Sequence, residues 1–443
     1  MYIKNLQEMT ENKMFKKSIC FYFQVHQPLR LTQFNYFDKS RTPSYFKGDS
    51  PHNNEYFVKK VGRKSYHPTN NLLLELLAKH KEFKCSFSIS GIALEQFEKY
   101  DPTLIESFQK LVKTRRVELL SETYYHSLSW IYSKEEFAEQ IILHRKKIFK
   151  LFKKRPKIFR NTELIYNNEL ANFIRKMGFD GILAEGWDDV LKFKSPNFVY
   201  QAPKFDLHPE DEKIVKKCRI SDRANRKICL LLKNYKLSDD IAFRFSDKNW
   251  KEHPLSVEKF ADWVESAPGD TINLFMDYET FGEHQWEDSG IFEFLRLLPD
   301  ELLKRGIGFR TPSETINDFE VKDSIDIHHL ISWADLERDL SAWLGNKMQQ
   351  HAADQVYKYE HLVKSASETL TDNFKKKKLL STWRKLQTSD HFYYMSTKYW
   401  NDGDIHKYFS PYESPYDAYI NYMNVVGDFS DKLKNMISYK SIS

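Results

Sequence analysis

TINLFMDYETFGEHQW (residues 271–286) opens on a run that is apolar on both faces of a pleat and closes on two acids at alternate positions, Asp277 and Glu279. A strand buried on both faces belongs in a parallel sheet covered by helices. SICFYFQVH (18–26) has the same character. Outward from these two, FKCSFSIS (83–90), RVELLSETYY (116–125), KIFRNTEL (157–164), GILAEG (181–186), KICLLLKNY (227–235) and DIAFRFS (240–246) read as further strands. Helical patterns lie between them, as at 71–80, 134–152 and 169–177. This alternation predicts an α/β protein whose parallel sheet closes into a barrel, with an open doubly wound sheet as the alternative. After about Pro312 the rhythm changes. Periodic segments at 334–350, 353–369, 373–388 and 415–434 predict a C-terminal helical bundle packed on the barrel, interrupted by loops near 401–404 and 410–415. The expected organisation is a loose tail over 1–15, a catalytic barrel over 16–315 and a helical domain over 316–443 that completes the active-site cleft.

The chain has 443 residues, beyond the size at which one core stops growing. With 41% apolar and 29% charged residues and only 14 Gly and 15 Pro, it reads as packed and not disordered. No stretch has the 18 or so uninterrupted apolar residues of a membrane helix. The 68 basic and 62 acidic residues nearly balance, and the run from Lys375 to Lys378 reads as a solvated helix face. Neither a membrane nor a nucleic acid is expected as a partner. Cys20, Cys85, Cys218 and Cys229 are scattered, without disulfide or zinc spacing, and predict reduced thiols. The apolar run after Lys16 and Lys17 is interrupted by Gln24 and lacks a following cleavage site, so a cytoplasmic protein is expected.

The polar residues gather where strands end: His26, Glu122 to His126, Glu163, Glu185, Asp277 and Glu279. In a barrel that edge carries the chemistry. Within KIFRNTELIYNN (157–168), Glu163 has the parity of Asn161 and opposes Ile158 and Arg160, while Asn167 and Asn168 could cap the next helix. Asp277 and Glu279, after a buried strand, need a metal, a basic partner or a raised pKa. Two carboxyls from different strands among aromatic rings suit glycoside hydrolysis, one attacking the anomeric carbon and the other protonating the leaving oxygen. His26, His126 and Asp277 could equally ligate a divalent metal for hydrolysis or deacetylation, although neither histidine belongs to a closely spaced pair.

FQVHQP (23–28), ELLSETYYHSL (118–128), FRNTELIYNN (159–168), FMDYETFGEHQW (275–286) and SDHFYYM (389–395) resemble, in order and spacing, the motifs of glycoside hydrolase family 57. With LSDDIAFRFS (237–246) and SWADLERDLSAWLGNKMQ (332–349), they look most like its α-amylase branch. The resemblance implies an incomplete (β/α)7 barrel followed by a helical bundle, acting with retention on α-1,4-glucans of the starch and glycogen type or on maltooligosaccharides, without a required metal or cofactor. A 4-α-glucanotransferase would use the same groups, and a catalytically silent glucan-binding protein would keep only the cleft. By motif position Glu163 would be the nucleophile and Asp277 the general acid/base. His26, His126 and Asp390 would bind sugar, Trp187 and Trp333 would stack on it, and Glu279 would shape the site. One departure is Ser121, Glu122 and Thr123, which stand where some relatives have a glycine-rich motif. The aromatic surplus, 33 Phe, 25 Tyr and 9 Trp, should mostly fill the core, while Tyr124, Tyr125, Tyr166, Tyr278, Trp286, Tyr393 and Tyr394 are expected at the rim of a glucan cleft.

Overall fold

The computed structural model describes residues 15–35, 37, 44–221, 227–398 and 410–438. The expected tail therefore lies outside the described residues apart from Phe15, as does the loop near 401–404. Seven parallel strands form the barrel wall: β1 (Lys17–Val25), β2 (Cys85–Ile89), β3 (Val117–Leu119), β4 (Ile158–Arg160), β5 (Gly181–Glu185), β7 (Cys229–Lys233) and β8 (Thr271–Asp277). In space β3, β2, β1 and β8 are neighbours, and so are β4, β5 and β7. A parallel bridge between Ser121 and Phe159 joins β3 to β4.

The barrel is incomplete on its other side. β6 (Val199–Gln201) pairs antiparallel with β7 and carries β10 (Val321–Ser324) beyond it, so the edge of β7 that would meet β8 is already taken. Asparagines close this seam where a ladder is missing. Asn273 Nδ2 donates to the Leu232 carbonyl (2.8 Å), Asn234 N–H donates to the Asn273 carbonyl (2.9 Å), and Asn234 Nδ2 donates to Asn197 Oδ1 (2.9 Å). Buried amides bonded this way avoid the cost of unpaired polar groups. β9 (Ile307–Phe309) pairs with the start of β1.

Alternation along the strands sorts side chains into two shells. Phe21 and Phe23 of β1 and Ile272, Leu274 and Met276 of β8 face outward into one apolar layer under the helices, while Phe159, Ile182, Leu230 and Leu232 do so in a second. Tyr22, Leu120, Ile158, Leu183, Leu231 and Phe275 fill the barrel interior. One step further along the same inward rows stand Gln24, Arg160, Glu185, Lys233 and Asp277, so a polar layer caps the apolar one at the C-terminal end.

DIAFRFS (240–246) is not a strand. Asn234 caps a helix, Tyr235–Ala242, by accepting from the Leu237 N–H, and Phe243 beyond it is exposed. The expected helices over 71–80, 134–152 and 169–177 correspond to His67–Lys79, Lys134–Phe152 and Asn168–Met177, the last capped by Asn167. From Ser341 the described chain is helical: Ser341–Leu344, Lys347–Lys358, Glu360–Thr369, Asn373–Lys385, Ser389–Tyr393 and Pro415–Ser438. Their core of Trp343, Val356, Trp383, Phe392 and Tyr422 also takes in Leu31, Phe34 and Tyr45 from the connection after β1. Arg384 fixes this bundle to the barrel through a bidentate pair with the buried Glu136 (2.8 and 3.0 Å). Its geometry satisfies both charges, as burial requires.

Candidate active site

Glu163 lies past the end of β4, in a 3-10 turn, Thr162–Leu164, where it and Leu164 take left-handed conformations (φ 55° and 53°). His126 is left-handed as well (φ 49°). Such backbones cost about 1–3 kcal/mol each and persist only where the surroundings over-determine them. Here Asn161 Nδ2 holds the Ile165 carbonyl (3.1 Å), and residues 331–333 run antiparallel alongside: Tyr166 and Ile331 exchange backbone bonds, and Trp333 N–H donates to the Glu163 carbonyl (3.1 Å). The strand parity expected for Glu163 therefore does not apply. Arg160, inside the strand, is the residue that points into the barrel.

Both oxygens of Glu163 are held by donors. His126 Nε2 bonds Oε1 at 2.7 Å, and Trp333 Nε1 donates to Oε2 at 2.6 Å. The other ring nitrogen of His126 faces the fully buried Glu122 (3.4 Å). Burial disfavours a charged imidazole, but the flanking carboxylates outweigh it and raise His126 to about 9. Burial likewise opposes ionisation of Glu163, yet the His126 bond and charge, the Arg160 charge and the Trp333 bond hold it below its ordinary value.

Asp277, at the end of β8, is half-buried, and its carboxyl has no hydrogen-bond partner among the described residues. Burial, then the negative charge of Glu163, raises it to about 6 against the opposing charges of Arg160, His126 and Lys233. Two carboxyls whose surroundings push their protonation apart are the signature of an acid and a base sharing one site.

The bundle supplies a third acid. Ser389 N–H donates to the His126 carbonyl (2.9 Å) and Ser127 bridges Thr388, so the helix Ser389–Tyr393 starts at the barrel mouth. Asp390 there meets His26 Nε2 at 2.9 Å, while His26 Nδ1 bonds Ser90 (2.8 Å). Despite burial, the pairing with His26 holds Asp390 well below the carboxylate range, although burial and the His126 charge lower His26 itself. The His26 and His126 rings stack at 3.9 Å. With every ring nitrogen of this pair already engaged, neither histidine turns a lone pair toward Asp277. Among the described residues no group of three or more His, Cys, Asp or Glu is arranged to hold a metal ion.

Glu163, Asp277, His26, His126, Asp390 and Trp333 thus come together. Three other candidates do not face this cluster. Tyr278 is fully buried among Phe23, Tyr66 and Phe87, and its hydroxyl donates to Asn70 (2.6 Å). Glu279 lies behind the site, bonded by the Tyr66 hydroxyl and by Gln27 (3.3 Å). Burial, then the Asp277 charge, raises it to about 8. Trp187 packs half-exposed on the outer apolar layer near β5, edge-on to His329. The expected aromatic rim is largely absent: Tyr124, Tyr125, Tyr166 and Tyr394 are also buried, and Trp286 is exposed beneath the Lys64 ammonium.

Sequence reasoning gave no role to Arg160, Lys233 or Arg338. Lys233 bonds Asp239 (2.9 Å), Arg338 pairs with Glu185 (3.3 Å) and donates to the Trp333 carbonyl, and Lys233 lies over the Trp333 ring. The signal for Lys233 and Arg160 was their inward parity with Leu231 and Ile158. Arg338, on an irregular segment, left none.

Parallel strands around an incomplete barrel, with two carboxyls at its C-terminal mouth shifted in opposite directions by their surroundings, are the features of a barrel enzyme whose site suits glycoside chemistry. The family profile described as Glycosyl hydrolase family 57 matches residues 20–328, and the chain belongs to that family. It is 41% identical over 425 residues, 95% of its length, to a Methanocaldococcus jannaschii protein named "Putative alpha-amylase", of which it covers 85%. Its fold is similar to that of a GH57-type branching enzyme of Pyrococcus horikoshii (TM-score 0.66, 13% identity, 93% of this chain and 88% of that one). It is also similar to that of a 4-alpha-glucanotransferase of Thermococcus litoralis (TM-score 0.59, 18% identity, 86% and 56%).

Proposed function

We propose that the protein is a retaining α-1,4-glucan hydrolase acting on starch- or glycogen-type glucans or maltooligosaccharides. Glu163 attacks the anomeric carbon as a carboxylate, and Asp277 protonates the departing oxygen. The observation that carries this reading is the contrast between the two carboxyls: one held below its ordinary value by His126 and Trp333, the other raised to about 6 by burial and by the charge of the first. His26 and Asp390 line the sugar site, and Trp333 orients the nucleophile while offering its ring to the substrate. The name carried by the Methanocaldococcus jannaschii relative supports an α-glucan as substrate and water as acceptor.

A 4-α-glucanotransferase would pass through the same glycosyl-enzyme and differ only in letting a sugar hydroxyl reach it first. Incubation with maltoheptaose and sizing of the products separates the two. Products no longer than the substrate are expected, and early appearance of longer oligosaccharides would replace hydrolysis by transfer. Glucan binding without turnover in the wild type would reduce the protein to a binding module. The metal-dependent reading has little support from a site whose imidazole nitrogens are all bonded to protein groups.

A further inference from the structure

Arg160 is fully buried at the inner end of β4, and none of its three guanidinium nitrogens has a hydrogen-bond partner among the described residues. Its guanidinium carbon lies 5.0 Å from the centre of the Trp333 ring. A cation that never gives up its proton is rarely left unbonded in a protein interior, because the desolvation goes uncompensated. What surrounds it is charge: Arg160 acts on Glu122, Glu163 and Asp277, on His126 and on the Tyr22 hydroxyl. It sits in the polar layer of the barrel with Lys233 and Glu185, on the same inward row as Ile158. Because it is sealed from solvent, it acts on a substrate through the groups around it and not by direct contact.

Resting on the reaction proposed above, we infer that Arg160 is a positioning residue for its second half, holding Asp277 as a carboxylate while Glu163 is tied up as a glycosyl ester. In the first half, a Glu163 oxygen forms a bond to the anomeric carbon, the bond to the leaving sugar oxygen breaks, and that oxygen takes the proton of Asp277. Glu163 is then neutral. The Arg160 charge, until then offset by Glu163, now falls on Asp277. In the second half, water attacks the anomeric carbon and its proton passes to the Asp277 carboxylate. The ester bond breaks and its electron pair returns to Glu163. The other groups facing Asp277 change this less. Lys233 is already bonded to Asp239 and His126 is shared with Glu122, whereas Glu279, raised to about 8, is neutral where Asp277 titrates and adds no opposing charge. Arg160 alone among these cations has no bonded counter-charge.

The test uses a 4-nitrophenyl α-maltooligoside, whose good leaving group makes the second half rate-limiting. In Arg160→Gln the steady-state rate should fall about 100-fold while the initial burst of nitrophenol slows less than about tenfold, and intact-mass measurement should find the glycosyl-enzyme accumulated. The acidic limb of kcat should move to higher pH, because Asp277 without Arg160 keeps its proton longer. Arg160→Lys should restore part of both. Arg160→Met, which keeps the stem against Trp333, serves if the Gln variant does not fold. Equal loss in burst and steady state, or an unmoved acidic limb, would overturn the inference. If no glycosyl-enzyme forms even in the wild type, it is the retaining reaction itself that fails.

Discussion

The ends of β4 and β8 each deliver one carboxyl to the barrel mouth, and they treat it in opposite ways. Beyond β4 the chain breaks into a left-handed turn, leans on residues 331–333, and gives Glu163 two donors, one of them a charged imidazole. At the end of β8 the strand simply runs out, and Asp277 is left without a donor beside its neighbour's charge. Glutamate and aspartate have similar ordinary pKa values, so identity assigns no role. Donors favour the charged form, and burial favours the neutral one.

The most severe way to break the contrast is to remove either member. Glu163→Gln should lose turnover beyond about 10⁴-fold, and Asp277→Asn about 10²–10⁴-fold on substrates with a poor leaving group, both while still folding and unfolding in a cooperative thermal transition. Full activity in either variant would mean that the site lies elsewhere. The contrast also sets the pH profile. Glu163 must be ionised and Asp277 protonated in the free enzyme, so kcat/KM should fall as pH rises through about 6, where Asp277 gives up its proton. A single plateau extending through pH 8 would contradict this.

Next in size is the donor pair. His126→Phe keeps the ring against His26 but removes the bonds to Glu163 and Glu122. Bonds to charged groups are worth about 1.5–3 kcal/mol, so kcat should drop about 10–100-fold. With its cationic partner gone and its burial unchanged, Glu163 should titrate higher, moving the acidic limb of kcat/KM upward. Trp333→Phe removes one neutral donor and should cost about tenfold in kcat, with a smaller move of the same limb. A limb that stays put in both variants would mean that something other than these donors keeps Glu163 charged.

How far this site could be read in advance follows from the same two strand ends. β8 was legible because it is regular: period-2 alternation puts Asn273, Phe275 and Asp277 on one side, and the next residue, Tyr278, turns into the layer beneath the helices. Applied to its end, the same rule would have kept Tyr278 out of the cleft. Its place inside the motif FMDYETFGEHQW points to the rim, but membership of a motif says nothing of side-chain direction. β4 was half legible. Its strand and the inward row of Ile158 and Arg160 follow from alternation, but two left-handed residues then reset the direction of Glu163, and no period predicts those. The bond from Trp333, 170 residues away, depends on the path of a loop that is neither helix nor strand. The same holds for Asp390, which reaches the site only because the bundle docks through Arg384 and Ser389.

The smallest expected effect probes the side of Asp277 that faces away from substrate. Glu279 is raised to about 8 and so is neutral through the range in which Asp277 titrates. Glu279→Gln should therefore leave the limb near 6 almost in place and change kcat less than about threefold. Its signature is in stability. The folded protein keeps the Glu279 proton up to about 8, whereas the unfolded chain releases it near the ordinary 4.5. Between those values the native state binds more protons than the unfolded one, so stability falls as pH rises, and above 8 the full loss is present. Glutamine bears no such proton. The variant's melting temperature should thus gain on the wild type by several degrees between pH 5 and pH 8.5, starting from near equality or slightly below it because the bond to Tyr66 is altered. A constant difference across that range would show Glu279 to be ionised throughout. In that case part of the charge that keeps Asp277 protonated would come from behind it, and the contrast between the strand ends would rest less on Glu163.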